Sequence, residues 1–177
     1  MRKTTTMKND RGFTLVEVLV AAMILTVALL TLATMFPTGY KQIADAGRLT
    51  LATNGANHVL EDLGSVPFTS VRNLDNFDSN SSGSLPAADP EKAIARRWRY
   101  MLAGSGSGFS FTTAETTAWG TVTPFGGRAQ VQIRQVTNAG NPCPAADTTC
   151  RAVVTITIPS QPAPTTVTLS TILVRMF

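Results

Sequence analysis

From Phe13 to Phe36 the chain is apolar almost without a break, FTLVEVLVAAMILTVALLTLATMF, and Glu17 is the one ionisable residue within it. As a helix, this run is about 36 Å long at 1.5 Å per residue, enough to cross a hydrocarbon core of about 30 Å. Thr14, Thr26, Thr31 and Thr34 interrupt the run, but a helix lets such hydroxyls bond back to carbonyls of the preceding turn. Pro37 and Gly39 then predict a kink or local melting. Helical periodicity resumes beyond them. Leu49, Ala52, Ala56, Val59, Leu60 and Leu63 recur at spacings of three and four, while Lys41, Asp45, Arg48 and Asp62 fall mainly off that stripe. The second half is therefore amphipathic and packs one face on a globular partner. Gly55 beside Asn54 weakens its middle, and Gly64 with Pro67 marks its end.

Downstream, residues 72–90 (RNLDNFDSNSSGSLPAADP) are rich in Asn, Asp, Ser and Gly and read as an exposed loop. Asp89-Pro90-Glu91 suits the start of a short helix. In RRWRYML the alternation of Trp98, Tyr100 and Leu102 favours a strand, and the glycines of 104–108 suit a flexible connection. Three clear alternations follow: Ala129, Val131 and Ile133; then Val154, Ile156 and Ile158; then Val167, Leu169 and Thr171. Joined by a cysteine-bearing loop and the turn PSQPAP, they predict an antiparallel meander. The expected fold class is α+β, with a long N-terminal helix packed on a C-terminal antiparallel sheet. The expected boundaries are a leader over 1–12, a membrane helix over 13–36, an amphipathic helix over 37–64 and a β-rich domain over 65–177.

Charge refines the topology. The net charge of +4 is concentrated in the leader, where Arg2, Lys3, Lys8 and Arg11 face only Asp10. The high pI thus reports a basic flank beside an apolar span, which holds that end in the cytoplasm and sends the rest outside. The two cysteines, Cys143 and Cys150, suit an oxidising compartment and are expected to form a disulfide. An ordinary cleavable signal is a poor alternative. It needs a shorter apolar core and small residues just after it, whereas Ala44 and Ala46 lie past Pro37 and flank Asp45. An uncleaved signal anchor is the other alternative.

Glu17 is what a plain anchor does not explain. An ionisable group near mid-membrane costs roughly 2.5–3.5 kcal/mol on insertion scales, less toward the interface, so it needs a partner. A cut between Gly12 and Phe13 would create a terminal amine one helical turn from Glu17, on the same helix or on a neighbouring one. The basic leader ending in Gly12, then Phe13, the run FTLVEVLVAAMIL and Glu17 resemble the type IV pilin and pseudopilin family over roughly residues 8–36. That resemblance implies cleavage after Gly12 by a membrane-embedded prepilin peptidase, N-methylation of Phe13, and a role for Glu17 in docking subunits. It implies further partners: other pilins or pseudopilins through the N-terminal helix, and an inner-membrane assembly platform. It also implies a single-pass inner-membrane precursor that moves into a filament in the periplasm or at the cell surface. The ending TLSTILVR is similar to minor pilins and secretion pseudopilins.

No catalytic constellation emerges, and no cofactor or metal is expected. His58, the only histidine, reads as a helix-flank residue. The serines and threonines have no second histidine or lysine dyad to activate them. Phe109 stands where a dinucleotide fingerprint needs its last glycine, and the acidic residues of 75–91 lack calcium-loop spacing. Arg96, Arg97, Trp98, Arg99 and Tyr100 are the only basic–aromatic cluster. They would suit DNA through phosphates and stacking, or a strand with aromatics in the core and arginines in water. The expected function is a structural or assembly subunit, a minor pilin or pseudopilin rather than the bulk fibre protein. The competing readings are a filament-displayed adhesin or DNA-uptake receptor, and a membrane-anchored enzyme.

Overall fold

A computed structural model describes residues 12–103, 108–121, 126–161 and 163–175. Its compact units divide between Ala44 and Asp45. Helix α1 (Leu15–Ser65) begins in the first unit and ends in the second. It runs through Pro37 without interruption, so the expected local melting does not occur. Proline removes one donor from a long ladder, and the many backbone bonds on either side carry the helix past it.

Up to Phe36, α1 is apolar on every side apart from Glu17 and its threonines, and nothing in its unit covers it. The threonine hydroxyls that punctuate it are absorbed by its own backbone. Thr26 donates to the Ala22 carbonyl at 2.7 Å, Thr31 to Val27 at 2.9 Å and Thr34 to Thr31 at 2.8 Å. Such bonds let hydroxyls sit in an apolar helix without exposing unsatisfied groups.

The second unit is an antiparallel sheet with helices. Strands β1 (Phe77–Asp78), β2 (Arg128–Gln135), β3 (Thr149–Ile158) and β4 (Thr165–Val174) lie side by side in that order. The meander β2–β3–β4 is the one the alternation predicts. Its register sets Ala129 opposite Ile156, Val131 opposite Val154, and Val154 opposite Leu169. One face therefore collects the apolar side chains. Ala129, Val131, Ile133, Ala152, Val154 and Ile156 are fully buried, whereas Val167 and Leu169 on the edge strand β4 are only half-buried. From α1 the same core receives Ala52, Ala56, Val59 and Leu63 of the expected stripe, with Leu60 partly buried against it and Leu49 exposed.

Two expectations are overturned. The segment containing RRWRYML is not a strand but helix α3 (Glu91–Ala103). Ala95, Trp98 and Leu102, at spacings of three and four, are its buried face, and Trp98 packs edge-on against Phe77 at 5.6 Å. The short alternation is the end of a longer helical pattern. Nor are residues 72–90 simply an exposed loop. They form a 3-10 turn over Arg72–Leu74, strand β1 and a second 3-10 turn over Ser82–Ser84. Leu74, Phe77 and Ser79 are buried there, and Ser79 Oγ accepts a hydrogen bond from the Ala129 amide at 2.9 Å. Two apolar anchors are enough to fold a polar segment onto the sheet edge. Helices α2 (Phe68–Val71) and α4 (Thr113–Trp119), neither of them among the expected elements, complete the unit.

One carboxylate joins α1 to α3. Asp62 accepts the buried Trp98 Nε1–H at 2.7 Å and the Arg97 guanidinium at 3.2 Å. His58 Nδ1 lies 3.5 Å from the same group, within ion-pair range but not hydrogen-bonded. Asp62→Ala leaves the indole N–H buried without an acceptor, so it is expected to destabilise this unit by about 1–3 kcal/mol. Urea titration of the full chain in detergent, followed by tryptophan fluorescence, measures the loss.

Candidate functional site

At the start of α1, Thr14 is the N-terminal cap. Its Oγ1 accepts from the Glu17 amide at 3.3 Å, and its carbonyl accepts from Glu17 and Val18 at 3.0 and 3.2 Å. Glu17 therefore falls in the first helical turn, where the helix dipole favours a negative charge. Its backbone is satisfied by this cap. Its carboxylate makes no hydrogen bond or ion pair to any described residue. Gly12 and Phe13 precede the helix as exposed, irregular chain, with Phe13 80% accessible. The basic leader, Met1 to Arg11, lies outside the described residues.

An uncovered apolar helix with a lone acid in its first turn defines a class of protein whose N-terminal helix must be covered by lipid or by other chains. Residues 7–33 match the family model described as "Prokaryotic N-terminal methylation motif". The N-terminal stretch of the chain thus carries the type IV pilin and pseudopilin signal. The signal implies processing by prepilin peptidase and assembly with other pilins. With the apolar helix near the N-terminus, it fits inner-membrane anchoring before assembly into a surface filament. Comparisons with curated proteins and with solved structures each return no match.

The remaining candidates serve the fold. Cys143 and Cys150 are joined by a disulfide, Cα to Cα 5.8 Å, across the loop between β2 and β3. The Cys143 amide also donates to the Ile133 carbonyl at 3.0 Å, which ties that loop to the sheet. The basic–aromatic cluster is spread around α3 rather than gathered on a strand. Arg96 holds Glu115 through Nε at 2.6 Å and Nη2 at 2.8 Å. Arg97 is on Asp62. Arg99 is buried, stacked 3.8 Å above the Phe109 ring, and donates to the Ser81 carbonyl at 2.5 Å. Tyr100 Oη–H donates to the Gly120 carbonyl at 3.1 Å. Arginines committed in this way do not present the basic face that DNA phosphates need.

The acids of 75–91 are likewise engaged. Asp75 accepts from the Ile133 amide at 2.8 Å and from Arg134 at 3.1 Å. Asp78 is held by Arg128, whose Nε donates at 2.9 Å, and this contact lowers the Asp78 pKa. Glu91 is buried at the start of α3, with its pKa lowered chiefly by the Ser70 hydroxyl. Among the described residues no three His, Cys, Asp or Glu side chains converge as metal ligands would. His58 borders a cleft of about 210 Å³, otherwise lined by Leu51, Asn54, Gly55, Val59, Met101 and Leu102. That lining offers no nucleophile. Of the glycine run, residues 104–107 lie outside the described residues.

Sequence reasoning passes over Glu115. Thr112-x-x-Glu115 is a capping box: Thr112 Oγ1 accepts from the Glu115 amide, and Glu115 accepts from the Thr112 amide at 2.7 Å. The Thr-Thr-Ala-Glu spacing is the available signal. Arg96 is the main cause that depresses the Glu115 carboxyl from its ordinary 4.5 to about 2, with Thr112 adding to it.

Two outcomes follow from these contacts. Cys143→Ala/Cys150→Ala is expected to lower stability by about 2.5 kcal/mol, the chain-entropy value for so short a loop, read by the shift of the urea midpoint against the intact protein. Glu115, with its depressed folded-state pKa, contributes stability that is complete above pH 4.5 and is lost as pH falls toward 2. Glu115→Gln should therefore flatten that part of the acid unfolding curve and, at neutral pH, cost about 1–2 kcal/mol. An acid titration as steep as that of the parent would contradict the assignment.

Proposed function

We propose that this chain is a minor pilin or pseudopilin, a structural and assembly subunit of a type IV pilus or type II secretion-like filament. The observation that carries this reading is the Glu17 carboxylate, without a partner among the described residues, in the first turn of an uncovered apolar helix and within residues that match the methylation motif. Prepilin peptidase cleaves after Gly12, and N-methylation of Phe13 follows. The new terminal amine lies about one turn from Glu17 and supplies the positive partner, from its own helix or from a neighbour's. In the precursor the basic leader stays in the cytoplasm and residues 13–36 span the inner membrane. The amphipathic continuation, 37–64, leads to the globular part, 65–177, outside. After extraction, neighbouring helices replace lipid around the apolar surface.

The proposed work is initiating, priming or capping a filament together with related subunits and the inner-membrane assembly platform. The engaged arginines of α3 weigh against a DNA-receptor role. Support for the minor assignment comes from the VEVLVA continuation after Leu15 and from the ending TLSTILVR.

Glu17→Ala is expected to leave the subunit inserted and cleaved but to reduce its incorporation into fibres by at least about tenfold, the equivalent of losing one charge-assisted contact of about 1.4 kcal/mol or more. Quantitative immunoblotting of sheared fibres against the membrane fraction measures this. Mass spectrometry of the mature protein should find N-methylated Phe13 at its start. Wild-type incorporation of the alanine variant, or a mature chain that keeps its leader, would overturn the proposal. Abundance in fibres equal to the main subunit would refute the minor role alone.

A further inference from the structure

We propose that Asn80 is an acceptor for N-linked glycosylation. It stands in the sequence Asp78-Ser79-Asn80-Ser81-Ser82, which combines the Asn-x-Ser acceptor with a carboxylate two residues before the asparagine. It is the one asparagine in the chain followed at the second position by serine or threonine. Each part of the motif has a chemical task. The Ser82 hydroxyl orients the acceptor amide, and the Asp78 carboxylate offers a charge to a basic pocket of the transferase. Asn80 supplies the nucleophilic Nδ2.

The donor class is a glycan carried on a polyprenyl diphosphate. Nδ2 of Asn80 attacks the anomeric carbon, so an N–C bond forms as the bond from that carbon to the diphosphate oxygen breaks. The lipid diphosphate leaves with the electron pair, and one Nδ2 proton passes to a base on the transferase. No oxidant or reductant takes part.

The location suits a sugar. Asn80 lies in the turn just after β1, with its side chain exposed and its carboxamide free of hydrogen bonds to the described residues. Ser81, Ser82 and Gly83 beside it are exposed too, so a glycan there displaces no packed group. The folded turn, however, is closed over the recognition elements. Arg128 holds the Asp78 carboxylate, which also accepts the Asn80 amide at 3.0 Å. The Ser81 carbonyl is strapped by Arg99 and by Ser84 Oγ at 2.8 Å. Transfer therefore precedes closure of this turn, on chain still emerging from the membrane.

The proposal rests on the reading that the globular part lies outside the cytoplasm. Its test is mass spectrometry of tryptic peptides from the full-length protein purified from its own host. The peptide from Asn73 to Lys92 is expected to carry a glycan mass that fragmentation localises to Asn80. Asn80→Gln and Ser82→Ala should reduce it to background, and Ser81→Ala should retain it. A peptide without added mass, or with mass on Asn73, Asn76 or a serine, overturns the proposal. The N-terminal peptide of the same digest separates the two failures. A start at Phe13 beside an unmodified Asn80 sinks the glycosylation alone, whereas an uncleaved leader sinks the reading beneath it as well.

Discussion

An apolar helical surface that its own unit does not cover has to be covered by something else. Burial of apolar area is worth roughly 25 cal/mol per Å², and α1 up to Ala44 exposes large apolar side chains on every side, from Leu15 and Val16 through Ile24, Leu30 and Phe36. A bilayer satisfies that demand for a single chain, and a bundle of like helices satisfies it for many. Glu17 separates the two. In lipid the carboxylate is a standing cost. Beside an amine in a bundle it becomes an orienting contact. Under the proposed cleavage, the apolar run makes the membrane a tolerable waiting place and Glu17 makes the assembled state the better one.

The globular unit solves a different problem, the closure of a small core around one sheet. Its helices give that core small residues, Ala52, Ala56 and Ala95, together with the large Trp98, all fully buried. Around that core the polar groups are paired off one by one. Asp62 takes the indole and Arg97, Glu115 takes Arg96, Asp75 takes Arg134, and Asp78 takes Arg128. Partly buried pairs of this kind specify geometry more than they add stability. They also engage the arginines of a basic–aromatic string that looks like a nucleic-acid surface in one dimension.

What can be read from the residues depends on how local the cause is. The apolar run and the three alternating strands each carry their own periodicity, so the α+β layout and the meander are legible in the chain itself. Helix α3 reads as a strand because a two-residue period and one side of a 3.6-residue period coincide over seven residues. Only Ala95, three residues before Trp98 and outside that stretch, separates them, because Leu102 fits both periods. The segment 72–90 misleads for the opposite reason. Its composition is that of a loop, and the causes of its order are distant: the Ala129 amide, the Ile133 amide, Arg128 and Arg134. Glu17 stands out because a charge in an apolar run is conspicuous, whereas Glu115 stands among polar neighbours and gains its meaning only when Arg96 arrives from another helix.

The extent of the family match has a physical sense under this reading. It ends at residue 33, within the stretch whose demands come from outside the chain: a peptidase that reads Gly12 and Phe13, a bilayer of fixed thickness, and neighbours that must meet Glu17 at one height. Such demands name particular residues at particular positions. Beyond that stretch the chain answers mainly to itself. An alternating strand accepts Val, Ile or Leu at each buried position, and an arginine–carboxylate pair can be re-sited without changing the layer it supports. A surface turn such as the one that bears Asn80 is freer still, because its fold needs only two apolar anchors and a few backbone acceptors. Diversity between such subunits therefore belongs in the globular part, where it can alter what a filament displays without disturbing how it is built.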